Sequence, residues 1–540
     1  MDMEMKDLSA NPPAKNRFLL RALAAMGLIA AGLLMVLPHP YHERNFLITA
    51  GGCYLQTTVY EPAGAMAANS GGGGTVVLYH GLAGNRKIMA YLAEGFALEG
   101  LRVFVPDLPG HGHTEGPFSA ARAEQCSENL LHELRSRGLA PPDSTILAGH
   151  SMGGAIAIRV AARVPVAGVI AMSPAPMRAG HGVSRDMVLF DGPPALPPNT
   201  EIISGALEPR LITASARDLL QAGRDVNSHF DLVPWATHAG LLWRPAAARL
   251  AQDWAAKVLR LDGPNAAANA GATGPNVSPH RYKLPSRWPL AGCVIGLAGF
   301  LLIAGPFLRE AVNIHAKSRE NFPDVETRAV SWWRAALELL VVGSLAAVVL
   351  RYWMPLRLVR LFEGDYLAGF LLFSGVLLIA MHGKELMPIF DFRSSAAVRA
   401  IFAALVLFLL FSAWLELSVT EAWLDAARWQ RFPLLCIALI PCLVAEEILL
   451  GARAEKSTRR RVALAMFYRL LLWLTMVFGI LIMHSGEVLL VLLAPYFAAV
   501  SIAQRWGMEV VREVTGSAAA AALFGAILLT GFCLVIFPLL

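Results

Sequence analysis

Charge is scarce in this sequence. Asp, Glu, Lys and Arg make up 16% of 540 residues, against 56% hydrophobic residues. Such a composition excludes a wholly soluble chain, and the length exceeds that of one domain. A basic stripe with interleaved aromatics is missing, so the net charge of +6 is not the footprint of a nucleic-acid binder. The surplus sits in loops and linkers beside long apolar runs, where it reports membrane topology. Cysteine is equally sparse, at six residues without metal-ligand spacing. Cys293, Cys436, Cys442 and Cys533 fall within apolar runs and read as packing residues. Cys53 and Cys126 stand in the more polar half, and sequence alone cannot set the separation on which a bridge depends. Neither a metal nor an organic cofactor is expected.

No small-x-small cleavage signal follows the apolar run 18–37, which Lys15, Arg17 and Arg21 introduce. The run reads as an uncleaved signal anchor. Further runs of spanning length lie near 289–308, 332–350, 366–382, 397–415, 432–452, 463–483, 486–502 and 517–538, about nine spans in all. If the N-terminus is cytoplasmic, the inner loops carry Arg309, Lys317, Arg319 and Arg328, then Lys384, Arg393 and Arg399. Arg453, Lys456, Arg459, Arg460 and Arg461 follow on that side, then Arg505 and Arg512. The outer loops are poorer, with Arg351, Arg357, Arg360, Arg428 and Arg431. This bias places the globular part outside the cytoplasm, and a bacterial inner or cell membrane is the expected location. The expected division is an anchor over 1–40, a globular α/β domain over 41–262, a Pro-, Gly-, Ala- and Asn-rich flexible linker over 263–287, and a polytopic all-α bundle of about eight helices over 288–540. The bundle shows neither the internal symmetry nor the paired broken helices of a transporter.

Within the globular part, short apolar runs rich in β-formers alternate with helical stretches, the pattern of a mostly parallel sheet buried on both faces. Strands are expected at 45–50, 54–60, 75–79, 102–106, 144–148, 166–172, 201–204 and 230–233.

The segment Gly149-His150-Ser151-Met152-Gly153 falls between the run ending at Ala148 and a helical stretch. A serine hydroxyl needs presentation on a sharp strand-to-helix turn and a neighbouring base before it is a competent nucleophile. Gly149 and Gly153 remove the Cβ atoms that would clash where strand and helix cross. An acyl-transfer site further requires an acid, a base and two oxyanion donors. Glu208 lies just beyond the strand 201–204 and is the candidate acid. His238 lies just beyond the last strand and is the candidate base. The candidate donors are the backbone N–H groups of Met152 and of Leu82, the latter in the tight turn that His80 and Gly81 begin. Asp225 is the fallback acid, ahead of Asp186, Asp191 and Asp218. His150 reads as packing; Asp107, His111 and His113 read as shaping the loop after the fourth strand. The stretch 174–199 is short, and an open site is expected.

Leu78-Tyr79-His80-Gly81, Val105-Pro106-Asp107-Leu108-Pro109-Gly110-His111-Gly112 and Gly149-His150-Ser151-Met152-Gly153-Gly154 resemble the α/β-hydrolase superfamily. The nearest likeness is to monoacylglycerol-lipase-like and serine-aminopeptidase-like hydrolases. The resemblance covers about 45–261 and implies a Ser151, Glu208, His238 triad with an oxyanion hole at Leu82 and Met152. Glu208 departs from the more usual aspartate. The implied activity is hydrolysis of an ester, thioester or amide from a small or lipid-like acyl substrate at the bilayer, with no nucleic acid and no protein partner identified. Acyl transfer on the same residues, or a silent sensor fold, are the alternatives. In the bundle, Arg334 and Glu338 are spaced to pair on one helix face. Glu446-Glu447, with His484 at the end of the next span, resembles in part the intramembrane CAAX-type proteases, although Gly451 stands at the expected arginine position. A polar cluster within the bundle is the reading preferred for this pair.

Overall fold

The computed structural model describes residues 14–37, 42–61, 74–180, 183–190, 192, 195–223, 227–261, 283–313, 331–353, 357–386, 394–451 and 458–540. Asp191, Asp225 and most of the expected linker lie outside the described residues.

Helix α1 (Ala14–Val36) leads into strand β1 (His42–Ala50). Gly51 and Gly52, at φ 52° and 80°, turn the chain into β2 (Cys53–Glu61). Two positive φ values in a two-residue loop are what a tight hairpin needs, and glycine meets that demand without steric cost. The next elements are β3 (Thr75–Tyr79), α2 (Ala90–Leu98), β4 (Arg102–Pro106), α3 (Ala120–Ser136), β5 (Thr145–His150) and α4 (Met152–Ala161). They are followed by β6 (Gly168–Met172), β7 (Thr200–Gly205), α5 (Arg210–Gly223), β8 (His229–Val233) and α6 (Pro245–Leu259). The eight strands align in the order β1-β2-β4-β3-β5-β6-β7-β8. The β1–β2 and β2–β4 pairs are antiparallel, and every other pair is parallel. All eight expected strands are present.

Side chains alternate across the sheet as the two-residue strand period requires. Val77, Tyr79 and Leu147 pack with α3 and α4 on one face. Val76, Leu78, Ile146 and Ala148 pack with α2 and α6 on the other. The chain leaves β3 for β4 on one side and returns to β5 on the other, so the crevice at the C-terminal ends of β3 and β5 is where such a sheet receives ligands. Cys53 and Cys126 form a disulfide between the start of β2 and α3, which settles the bridge that sequence left open.

The second part is a bundle of long apolar helices: α7 (Trp288–Ala311), α8 (Trp332–Tyr352), α9 (Gly364–Leu386), α10 (Ser394–Ser418), α11 (Ala426–Gly451) and α12 (Thr458–Met483). The short α13 (Val488–Leu492), then α14 (Ala494–Thr515) and α15 (Ala518–Ile536), complete it. Helix α1 joins the bundle by packing on α7, where a Cβ on Gly32 would lie within 3.0 Å of the Gly292 carbonyl. Small residues allow this close backbone approach between spans. Eight helices among the described residues are long and apolar enough to cross a membrane. The expected span 486–502 is not one of them. Pro495 stands in the first turn of α14, where its missing N–H is tolerated, and the apolar run breaks at Leu493.

Arg505 and Arg512, expected in an inner loop, lie on α14, and Arg505 is fully buried. Arg505 donates to Glu446 Oε1 at 2.8 Å, to Glu447, and to Glu509 Oε2 at 2.7 Å. Arg469 forks onto Glu446 at 2.6 and 3.0 Å, Arg512 binds Glu447, and Arg461 binds Glu509. Glu446 and Glu447 thus belong to a paired ionic cluster inside the bundle. His484 follows the opposite end of α12 from Thr458, about 37 Å along a helix of this length. Arg334 Nε and Glu338 Oε1 pair at 2.9 Å, and His382 Nε2 lies 3.0 Å from Glu338 Oε2.

The two parts are tied together at one end of the bundle. Arg428 donates to the carbonyls of Gly110 and Gly112 at 3.0 and 3.2 Å, and to that of Leu534 at 2.9 Å. Phe118 N donates to Leu539 O at 2.6 Å, and Leu539 N donates to Gly110 O at 3.1 Å. Arg86 pairs with Glu421 at 2.7 Å, and Lys87 with Glu416 at 2.9 Å.

Candidate active site

Strand β5 ends at His150, and α4 begins at Met152, so Ser151 occupies the turn between them at φ 53° and ψ −116°. A non-glycine residue at positive φ costs about 1–3 kcal/mol and persists only where its surroundings impose it. Here the surroundings do. Ser151 N donates to Met172 O at 2.8 Å, and Ser151 O accepts from Ala155 N at 3.0 Å and from Ala175 N at 2.9 Å. A Cβ on Gly149 would lie within 3.0 Å of the Gly153 carbonyl, and one on Gly153 within 3.0 Å of Tyr79 O. Strand, turn and helix therefore fit together only with glycine at both positions.

The loop after β3 comes up against this turn. A Cβ on Gly81 would be 3.1 Å from Ser151 Cβ. His80 Nδ1 donates to Gly81 O at 2.8 Å, and its Nε2 accepts from Leu108 N at 2.9 Å. Burial pushes the His80 imidazole down to about 4, so it is neutral and holds this tautomer near neutral pH. Leu82 follows, packed against the apolar cores of both the sheet and the bundle. Met152 opens α4, where the first N–H groups lack an intrahelical acceptor.

Glu208 is buried beyond β7. Its Oε1 accepts from Gly205 N at 2.8 Å and from the Ser173 hydroxyl. Its Oε2 faces His238 Nδ1 at 3.5 Å, longer than a hydrogen bond, and neither atom has another partner. Gly205 permits the approach of the two arms, because a Cβ there would lie within 3.0 Å of Ala236 O. His150, expected as packing, also makes a specific bond: its Nε2 donates to His238 O at 2.9 Å, with ring centroids 4.7 Å apart. Burial and the neighbouring His238 push His150 down to about 3.

Ser151, His238, His150 and Leu82 line a single cavity of about 240 Å³. The expectation of an open site is corrected here, because the bundle supplies the cover. Phe362, Val488, Leu489, Leu492, Leu493 and Ile536 all line the same cavity. Residues hundreds of positions from the motif carry no local signal of this role. Asp186, a fallback acid, is instead engaged by the bundle: Arg351 approaches it at 3.4 Å and Gly486 packs on its backbone.

Residues 76–305 match the sequence model of the alpha/beta hydrolase family. The chain is similar to Lipase 3 of Moraxella sp. (strain TA144), at 37% identity over 94 residues, covering 17% of this chain and 29% of that lipase. It is also similar to the monoglyceride lipase of Mus musculus, at 32% identity over 142 residues, covering 25% of this chain and 44% of that protein. The matched stretch thus spans under a third of the first relative's length and under half of the second's. The solved structure of TT1662 from Thermus thermophilus aligns at TM-score 0.31 with 19% identity, covering 40% of this chain and 98% of that one. The chain carries an α/β-hydrolase domain.

The loop after β4 of the hydrolase domain is a structural junction. Asp107 accepts from Arg86 N at 2.7 Å and from His113 N at 3.2 Å, and burial together with Glu421 pushes its carboxyl above the usual range. His111 stacks edge-on against Phe118 at 5.1 Å. His113, Glu416 and Glu421 have ligand atoms within 4.8 Å of one another, a grouping that no sequence spacing announced. Lys87 and Arg86 engage its two carboxylates, so the charges are balanced by the protein itself.

Proposed function

We propose that the protein is a membrane-anchored serine hydrolase that cleaves an ester, thioester or amide through an acyl-Ser151 intermediate. Ser151 Oγ attacks the carbonyl carbon while His238 takes its proton and passes it to the leaving group. Water then repeats the attack with His238 as base, releasing the acid and restoring Ser151. Glu208 fixes the imidazole tautomer and stabilises its charged form. The N–H groups of Leu82 and Met152 receive the developing oxyanion. The observation that carries this reading is the facing of Glu208 Oε2 and His238 Nδ1 at 3.5 Å, beside the cavity that His238 shares with Ser151. We further propose that the domain lies on the extracytoplasmic side. The Cys53–Cys126 disulfide supports this, since such bonds persist in oxidising compartments. So does the basic excess in the loops assigned to the opposite side.

Fluorophosphonate labelling of the detergent-solubilised full chain tests the reading. Strong labelling of the parent, lost in Ser151→Ala and reduced in His238→Ala and Glu208→Ala, is the expected result. A folded parent that takes no label removes it.

A further inference from the structure

The catalytic cavity is built mainly by the hydrolase domain and completed by the bundle. The bundle's share of the wall is mostly apolar: Phe362, Val488, Leu489, Leu492, Leu493 and Ile536 line it, beside Glu363 and Gly486. Val488 and Leu492 are four residues apart on α13, so they present one helix face. The short helix is held in place from two sides. Glu363 Oε2 accepts from Leu490 N at 3.1 Å, and Gly486, at φ 95°, sits where a Cβ would lie 2.6 Å from Asp186 O. Leu82 and Ala83, in the oxyanion loop, pack directly on the bundle's apolar core. The wall is therefore continuous with the reaction centre and with the membrane-spanning helices.

We propose that α13 and its bundle neighbours form the subsite for a hydrocarbon chain, so that the enzyme acts on lipid-like esters and reads chain length through Val488 and Leu492. This rests on the acyl-Ser151 reading and names the substrate class for that same site. Two observations argue for a hydrocarbon occupant. The bundle's side of the cavity is mostly aliphatic and aromatic, and it adjoins the loop that would hold the reacting carbonyl.

The test uses the full chain in detergent and compares kcat/KM for p-nitrophenyl acetate and p-nitrophenyl octanoate. Leu492→Trp fills the subsite and is expected to lower the octanoate-to-acetate ratio about tenfold, the scale on which apolar pockets discriminate chain size. Leu492→Ala, which adds no bulk, is expected to move the optimum toward longer esters such as the decanoate. Ile482→Trp, on an exposed face of α12, should leave the ratio where it was. If both Leu492 variants keep the parent's chain-length profile while the parent takes the fluorophosphonate, the subsite is overturned and the serine chemistry stands. If the folded parent neither labels nor turns over either ester, both readings fall.

Discussion

His150 Nε2 donates to the backbone carbonyl of His238 at 2.9 Å, so the residue before the proposed nucleophile in sequence holds the loop that carries the proposed base. The bond crosses 88 positions of the chain and joins the end of β5 to the loop after β8. His150→Phe keeps a ring of similar size but leaves the buried carbonyl unpaired, a loss of about 1–3 kcal/mol. We expect kcat to fall about tenfold with little change in KM, the mark of a positioning residue. Equal kcat in variant and parent would limit His150 to packing.

The carboxylate of Glu208 is fixed through one oxygen by Gly205 N and the Ser173 hydroxyl, which leaves the other for His238. Glu208→Gln keeps the shape and inverts the hydrogen-bonding, with an expected loss of about 10⁴ in kcat by analogy with triad acids. Ser173→Ala should cost far less, about tenfold. Steady-state rates on a chromogenic ester check both, and a Glu208→Gln enzyme at full speed would direct attention to another acid.

Glu201 on β7 is buried beside Asp231 on β8, and burial with that second carboxylate pushes it up to about 8. Its folded form keeps a proton that the unfolded chain loses near 4.5, so the stabilisation tied to that proton is complete below 4.5 and is lost as pH rises toward about 8. The slope is about 1.4 kcal/mol per pH unit for one proton. Glu201→Gln removes the dependence. Melting temperatures measured from pH 5 to pH 8 should show the variant gaining on the parent as pH rises. A constant difference across that range would mean an ordinary carboxyl.

Arg505 joins Glu446, Glu447 and Glu509 inside the bundle while fully buried. Removing one partner of a buried ionic cluster leaves the others uncompensated, at about 3–5 kcal/mol. We expect Arg505→Met to aggregate on extraction in mild detergent and Arg505→Lys to be recovered in part, both read by size-exclusion chromatography. A monodisperse Arg505→Met would show the cluster to be dispensable for folding.

Much of this architecture is written in local sequence. Strand and helix periods are short-range, so the eight strands and most of the apolar helices could be read from the chain. Turn chemistry is also local: Gly149 and Gly153 mark the elbow, and Glu208 and His238 follow strand ends. Even the Glu446-Glu447 pair announced a polar cluster. What sequence could not give are the contacts between distant segments. Arg428 meets Gly110 across 318 positions, and α13 borders a cavity also lined by Ser151, more than 300 residues earlier. The apolar run 486–502 has the composition of a span, but the turn at Gly486 and the helix start at Pro495 divide it. Arg505, which as a charge reads as a loop residue, is buried because three carboxylates converge on it. Hydrophobic pattern and turn chemistry act over a few residues and by themselves determined the strands and most of the helices. The cover of the site, the partners of its histidines and the pairing of buried charge depend on which elements pack together, and only the tertiary structure decided those.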